Sequence, residues 1–147
     1  MIALGSDHGG LALKQQVIAF LEENHLPYRD FGCETEESCD YSDMAIAPCE
    51  AVIRGECECA ILFCGTGIGI SMAANKIKGI RAACCSDYFS AKYTRMHNDA
   101  NVLCMGGRVV GSGLACEMVQ VFLNTSFEGG RHLRRIQKLQ ELENQSF

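Results

Sequence analysis

Ala60-Ile61-Leu62-Phe63 runs directly into Cys64-Gly65-Thr66-Gly67-Ile68-Gly69, and the reading of this stretch decides the fold. Four consecutive apolar residues bounded by a glycine turn fit a short strand buried on both faces, as in a parallel sheet. Three alternating glycines then let the backbone turn with its N–H groups exposed, and a helix is expected from Ile68 to Asn75. A strand, a glycine turn and a helix make the opening of a βαβ unit.

The rest of the chain repeats this alternation. Strands are expected at Met1–Gly5, Pro27–Phe31, Gly79–Cys84 and Val102–Met105. Helices are expected at Leu11–Glu23, where Leu13, Val17 and Leu21 share a face, and from a cap at Ser42-Asp43 to Arg54, with Pro48 as a local irregularity. Further helices are expected at Ser86–Met96, Leu114–Leu123 and Arg131–Glu143. The pattern predicts an α/β fold with a five-stranded parallel sheet covered by helices on both faces, and a C-terminal helix. The one hinge-like segment is Phe127-Glu128-Gly129-Gly130. It sets the last helix apart from the sheet, and a protruding terminal helix suits docking on a second subunit, so a dimer is expected.

Composition narrows the function. The 147 residues fit one domain spanning 1–147, with 48% hydrophobic and 21% charged residues. A net charge of −5 argues against a nucleic-acid or anionic-membrane partner. The apolar opening Met1-Ile2-Ala3-Leu4 is too short for a signal peptide and lacks a basic flank, which predicts a cytoplasmic protein. No pair of the ten cysteines stands at C-x-x-C spacing, so neither a zinc knuckle nor a dithiol redox motif is indicated. Cys84, Cys104 and Cys116 lie in apolar runs and read as small core residues.

Ligands of open α/β sheets bind beyond the carboxyl ends of the strands. Four such loops carry polar residues: Ser6-Asp7-His8-Gly9-Gly10, Cys64 to Gly69, Ser86-Asp87 and Gly106-Gly107-Arg108. The Cys64 loop opens a helix, so its amides and dipole favour a thiolate, a phosphate or an enediolate oxygen. The same residues also fit a tight turn around an inert thiol. The spacing is G-x-G-x-G, with Ile70 where a dinucleotide fingerprint needs its third glycine and where a cysteine-dependent phosphatase loop needs its arginine. A cation for an anionic ligand therefore has to come from elsewhere. The candidates are Arg108, Arg131, His132, Arg134 and Arg135, of which Arg131 and Arg135 share a helix face. A solvated charged face explains the terminal group equally well. His8 and His97 with a cysteine would make a conceivable zinc set, but no ligand pair has helical i, i+3 or i+4 spacing, and the expectation is no metal.

Taken together, GSDHGG (5–10), DYSD (40–43), CGTGIGISMAANK (64–76), GIRAA (79–83), HNDAN (97–101), GGRVVG (106–111) and EGGRH (128–132) resemble the family of type B ribose-5-phosphate isomerases and galactose-6-phosphate isomerase subunits. The segments keep that family's order along nearly the whole chain. The resemblance implies a Rossmann-like three-layer α/β/α sandwich and a homodimer, with a tetramer left open, whose two sites lie at the subunit interface. It implies interconversion of ribose 5-phosphate and ribulose 5-phosphate, or of a hexose 6-phosphate pair (allose or galactose), without metal or cofactor. Cys64 then matches the proton-transfer base; some relatives use a Glu further along, but Ser71-Met72-Ala73-Ala74-Asn75 has no carboxylate. Thr66 and His97 match ring-opening residues. Asp7, His8 and Tyr41 match substrate contacts, Gly65, Gly67 and Gly69 the anion hole, and Asn98 a contact to the intermediate. Arg108, Arg131 and Arg135 match phosphate ligands, some reaching across the dimer. Ser42 stands where relatives often have Pro, and the intact HNDAN and GGRH segments favour the ribose branch. The rival readings are a non-catalytic flavin or nucleotide module, which the glycine spacing opposes, and a thiol redox protein.

Overall fold

The computed structural model describes residues 1–147. Five strands, β1 (Ile2–Ser6), β2 (Tyr28–Asp30), β3 (Cys59–Cys64), β4 (Ala82–Cys84) and β5 (Val102–Gly106), form one all-parallel sheet in the order β2-β1-β3-β5-β4. Six helices accompany them: α1 (Leu11–Glu23), α2 (Tyr41–Ile53), α3 (Ile68–Ala74), α4 (Tyr88–Asn98), α5 (Ser112–Asn124) and α6 (Arg131–Leu142). The three-layer α/β architecture expected from the alternation is present. None of the helices is long and apolar enough to cross a membrane.

Alternate residues of the central strands feed two cores of different character. Leu4, Ile61, Phe63, Leu103 and Met105 pack with Leu13, Val17 and Leu21 of α1, Ala91 of α4, and Met118, Val119 and Phe122 of α5. The other face presents Ala3, Ala60, Leu62, Cys64, Val102 and Cys104 to Ala45 and Cys49 of α2 and Ile70 and Ala74 of α3. Small residues dominate that second side, and cysteine serves there as a small hydrophobe. Burial pushes the Cys49 thiol of this side up to about 12, and those of Cys59 and Cys85 in the first core to about 11.

Three details depart from the sequence reading. Helix α2 begins at Tyr41 after Asp40, so Ser42 and Asp43 lie in its first turn rather than at its cap; Asp43 there suits the helix dipole. Helix α4 begins at Tyr88, because Asp87 rather than Ser86 caps it, its carboxylate accepting from the Ser90 N–H at 2.7 Å. Cys84, expected in the core, is exposed: β4 is a three-residue edge strand, and its last side chain lies beside the loop after β3.

The chain's one buried lysine was also outside the pattern. Lys14 is 1% exposed and donates to Asp30 Oδ1 at 2.8 Å and to the Cys33 carbonyl at 2.7 Å. A lysine is found this deep only with such partners. The pair ties α1 to the segment that leaves β2.

The ends of β1 and β3 meet with almost no room to spare. A Cβ at Gly10 would lie 2.4 Å from the Phe63 carbonyl carbon, and backbone cannot yield as a side-chain tip can. Gly111 faces open space. Gly10→Ala is expected to lower the unfolding free energy by about 2–3 kcal/mol, while Gly111→Ala changes it by less than about 0.5 kcal/mol. Urea denaturation at matched protein concentration reads both.

Candidate active site

The strand order reverses direction at β1 and β3, since the chain leaves β1 toward β2 on one side and β3 lies on the other. A crevice beyond the carboxyl ends at such a point is where this sheet type binds ligands. The Asp7 N–H donates to the Phe63 carbonyl at 3.1 Å, locking the loop after β1 against the end of β3. The Gly107 N–H donates to the Cys64 carbonyl at 2.8 Å and the Arg108 N–H to the Gly65 carbonyl at 3.0 Å, bringing in the loop after β5.

Cys64, the last residue of β3, lies under the first turn of α3. Its Sγ accepts from the Gly67 N–H at 3.0 Å, a donor that favours negative charge on sulfur. Gly67 has φ +80° and its missing Cβ would meet the Met105 carbonyl carbon at 2.7 Å, so only glycine fits. Thr66 Oγ1 accepts from the Ile68 N–H at 3.2 Å and shapes the turn. The Tyr41 ring lies over Gly69, and the Arg108 guanidinium stands over Gly65, 3.2 Å from where a Cβ would be. The cation that the loop's own sequence lacks is therefore supplied by the loop after β5.

Asp7 and His8 complete this end. The Asp7 carboxylate accepts from the Gly10 N–H at 3.1 Å. His8 Nδ1 accepts from the Cys39 N–H at 3.2 Å. That contact orients the ring and leaves its Nε2 without a partner in the chain. The exposed Cys84 also belongs here: its Sγ approaches the Thr66 carbonyl at 3.8 Å. Burial first, and then the neighbouring Cys64, push its thiol up.

The remaining predicted residues lie at the other end of the sheet. His97 and Asn98 end α4, and the chain then enters β5 at Val102. Strand β5 spans five residues, about 17 Å at 3.3 Å each, and separates this end from Arg108. Arg81 and Arg95 both pair with Asp99, at 3.3 and 3.0 Å, and Arg81 Nε also donates to the Asn98 carbonyl at 3.1 Å. This clamp holds His97 and Asn98 in place. Arg81 and Asp99 stand in the GIRAA and HNDAN segments, but a charged residue's partner 18 positions away is not visible in a linear pattern.

His97 is also held by rings. Phe89 stacks on Tyr93 at 4.2 Å, Tyr93 meets His97 edge-on at 5.0 Å, and His97 stacks on His132 of α6 at 4.2 Å. Glu128 lies 3.3 Å from His132 Nε2 and 3.9 Å from His97 Nε2. Two histidines and a carboxylate are a metal-ligand set by type. The two imidazole planes, however, are 11° from parallel, so their in-plane lone pairs do not converge on one point. His8, the other histidine considered for zinc, is at the opposite end of the sheet.

Arg131 and Arg135 project from α6 near this second cluster. Neither they nor Arg108 enters any of the ion pairs, all of which fall within 4 Å. Three guanidiniums without carboxylate partners are free to bind an anion. In one chain they do not converge: Arg108 stands with Cys64, while Arg131 and Arg135 stand with His97. A groove of about 490 Å³ between β4, α4 and α6 is lined by Asn98 and Arg81 but not by Cys64.

A thiol at the end of β3, with a glycine turn and Arg108 beside it, lies where open α/β sheets bind their ligands. Residues 2–139 match the ribose/galactose isomerase family, and the chain belongs to it. Ribose-5-phosphate isomerase B of Escherichia coli is 46% identical over 142 residues, 97% of this chain and 95% of the relative. The solved ribose-5-phosphate isomerase B of Clostridium thermocellum superposes with a TM-score of 0.95 at 48% identity, covering 97% of each chain. A D-erythrulose-4-phosphate isomerase of Pectobacterium atrosepticum is 38% identical over 145 residues, 98% of this chain and 95% of the relative. Within the family the chain falls with the type B ribose-5-phosphate isomerases, and it is a sugar-phosphate isomerase.

Gly67→Ala is expected to cut isomerase turnover about 100-fold or more, because it removes the donor geometry at Cys64. The measurement is steady-state turnover of a sugar phosphate by protein whose far-ultraviolet circular dichroism matches wild type.

Proposed function

We propose that the chain interconverts ribose 5-phosphate and ribulose 5-phosphate in the cytoplasm, without a metal, as one domain of 147 residues acting in a homodimer. The observation that carries this reading is the distribution of the site over the two ends of the sheet. The end with Cys64 has a proton-transfer group and an oxyanion hole. The end with His97 has the ring-opening group and two free arginines. A second copy can bring His97, Asn98, Arg131 and Arg135 against the partner's Cys64, and a two-fold dimer makes two such sites. Leu133, Leu139 and Leu142 of α6, each nearly half exposed, supply apolar surface for that contact.

The substrate arrives as a closed furanose. His97 of one subunit and Thr66 of the other take the proton from the anomeric hydroxyl and return one to the ring oxygen as the C1–O4 bond breaks and C1=O forms. Cys64 as thiolate then removes the C2 proton. The electron pair moves into a C1–C2 double bond, and the charge on oxygen faces the amides of Gly65, Gly67 and Gly69. Asn98 contacts this enediolate, and Asp7, His8 and Tyr41 hold the sugar hydroxyls. The O2 proton then passes to O1, and return of the carbon-bound proton from Cys64 to C1 as C2=O forms gives the ketose. Arg108, Arg131 and Arg135 hold the phosphate, and that remote binding is converted into orientation at C1 and C2.

Turnover of ribose 5-phosphate in EDTA, beside allose 6-phosphate, galactose 6-phosphate and erythrulose 4-phosphate, tests the substrate. The expected result is a kcat/KM highest for the ribose ester and unaffected by EDTA; a higher value for another ester, or loss in EDTA, overturns that part. Cys64→Ala is expected to abolish turnover while phosphate-ester binding persists. Arg108→Ala is expected to cost about 2 kcal/mol, roughly thirtyfold in kcat/KM. The shared site has its own test. Cys64→Ala and His97→Ala are each inactive alone, but after unfolding and refolding as an equal mixture half the dimers are hybrids with one intact site. Activity then recovers to about a quarter of wild type. No recovery means that each chain builds its site alone.

A further inference from the structure

We infer that Glu128 is a positioning residue for the ring-opening step, acting on His97 through His132; this rests on the role proposed above for His97. Three observations carry it. The Glu128 carboxylate is the only one within 4 Å of either imidazole, closer to His132 (3.3 Å) than to His97 (3.9 Å). His132 is the buried partner, its side chain 8% exposed, whereas His97 is 37% exposed and is the ring that can reach a substrate. Finally, the Glu128 N–H donates to the Met96 carbonyl at 3.1 Å, so its main chain is tied to the residue preceding His97.

The chemistry follows from this order. Opening the furanose passes a proton through His97, and while it holds that proton the stack carries a positive charge. A second imidazole 4.2 Å away offers no compensation for it. The carboxylate does, and the His132 ring fixes the plane in which His97 presents its nitrogens. No other carboxylate lies within 4 Å of either ring. Glu128 is thus the one anion serving the ring pair. In the shared site its carboxylate stands on the two rings rather than on a thiol, so the proton transfer between C2 and C1 stays with Cys64 of the other subunit.

That division makes the role testable with two substrates. Ribose 5-phosphate has to open its ring. Ribulose 5-phosphate has no ring, because the oxygen that would close a furanose is esterified. Glu128→Gln is expected to lower kcat for ribose 5-phosphate about tenfold or more. The rate at which the enzyme exchanges the C1 hydrogen of ribulose 5-phosphate with D2O, followed by proton NMR, stays within about twofold of wild type; Glu128→Asp recovers part of the loss. Equal loss with both substrates marks a merely structural role and overturns the inference, as does no loss with either. A second readout needs no substrate: in ¹⁵N-histidine-labelled protein, Glu128→Gln is expected to move the ring nitrogen resonances of both His132 and His97, and an unmoved His97 overturns the inference. Failure of the proposed reaction itself appears differently, as absent turnover of ribose 5-phosphate by the wild-type protein.

Discussion

In an all-parallel sheet every helix has to carry the chain back from the carboxyl ends of the strands to their amino ends. Residues that begin the helices between strands therefore gather at one end of the molecule and residues that finish them at the other, while α6, which follows no strand, begins at the second end. This chain places functional side chains at both. Asp7, Cys64 and Arg108 follow strands, and Tyr41 starts a helix; His97 and Asn98 finish one. The resulting gap is the length of a strand, and no side-chain rearrangement spans it. On the reading proposed above, the topology divides the groups of one site, and a two-fold partner reunites them.

The Cys64 end depends on backbone approaching backbone. The loops after β1, β3 and β5 are joined by main-chain hydrogen bonds, and Gly67 adopts a backbone conformation closed to other residues. Main-chain amides fixed in this way need no reorganisation when charge develops on a substrate oxygen, which is the source of their catalytic value. The second end is built differently, from side chains: the paired arginines on Asp99 and the ring stack from Phe89 to His132. Stacked rings and ion pairs fix an imidazole while leaving its edge open, which suits a proton-shuttling group.

Much of this was legible in the sequence, for identifiable reasons. Continuous apolar runs and glycine turns mark parallel strands and their helices through local periodicity, so the order and approximate bounds of the elements followed directly. The strand-end loops could be named because ligand position in this sheet type is a rule of topology. What was not legible depends on distant pairing. Lys14 sits in an amphipathic helix and reads as solvated, yet it is buried because Asp30 and the Cys33 carbonyl receive it. Cys84 read as core because its neighbours are apolar, but an edge strand leaves its last side chain outside. Arg131 and Arg135, for which the sequence left a solvated charged face open, are exposed and enter no ion pair, unlike Arg81 and Arg95, which Asp99 holds.

That distinction also bears on why an acidic chain binds an acidic ligand. The net charge of −5 is distributed so that carboxylates neutralise the arginines that hold the fold and leave untouched those facing the site. The free guanidiniums at the two ends are separated from one another by the sheet. In the proposed dimer Arg108 of one chain would stand with Arg131 and Arg135 of the other around a single cleft, adding like charge to the interface that a bound phosphate dianion would compensate. On that reading substrate binding and dimerisation reinforce each other by linkage.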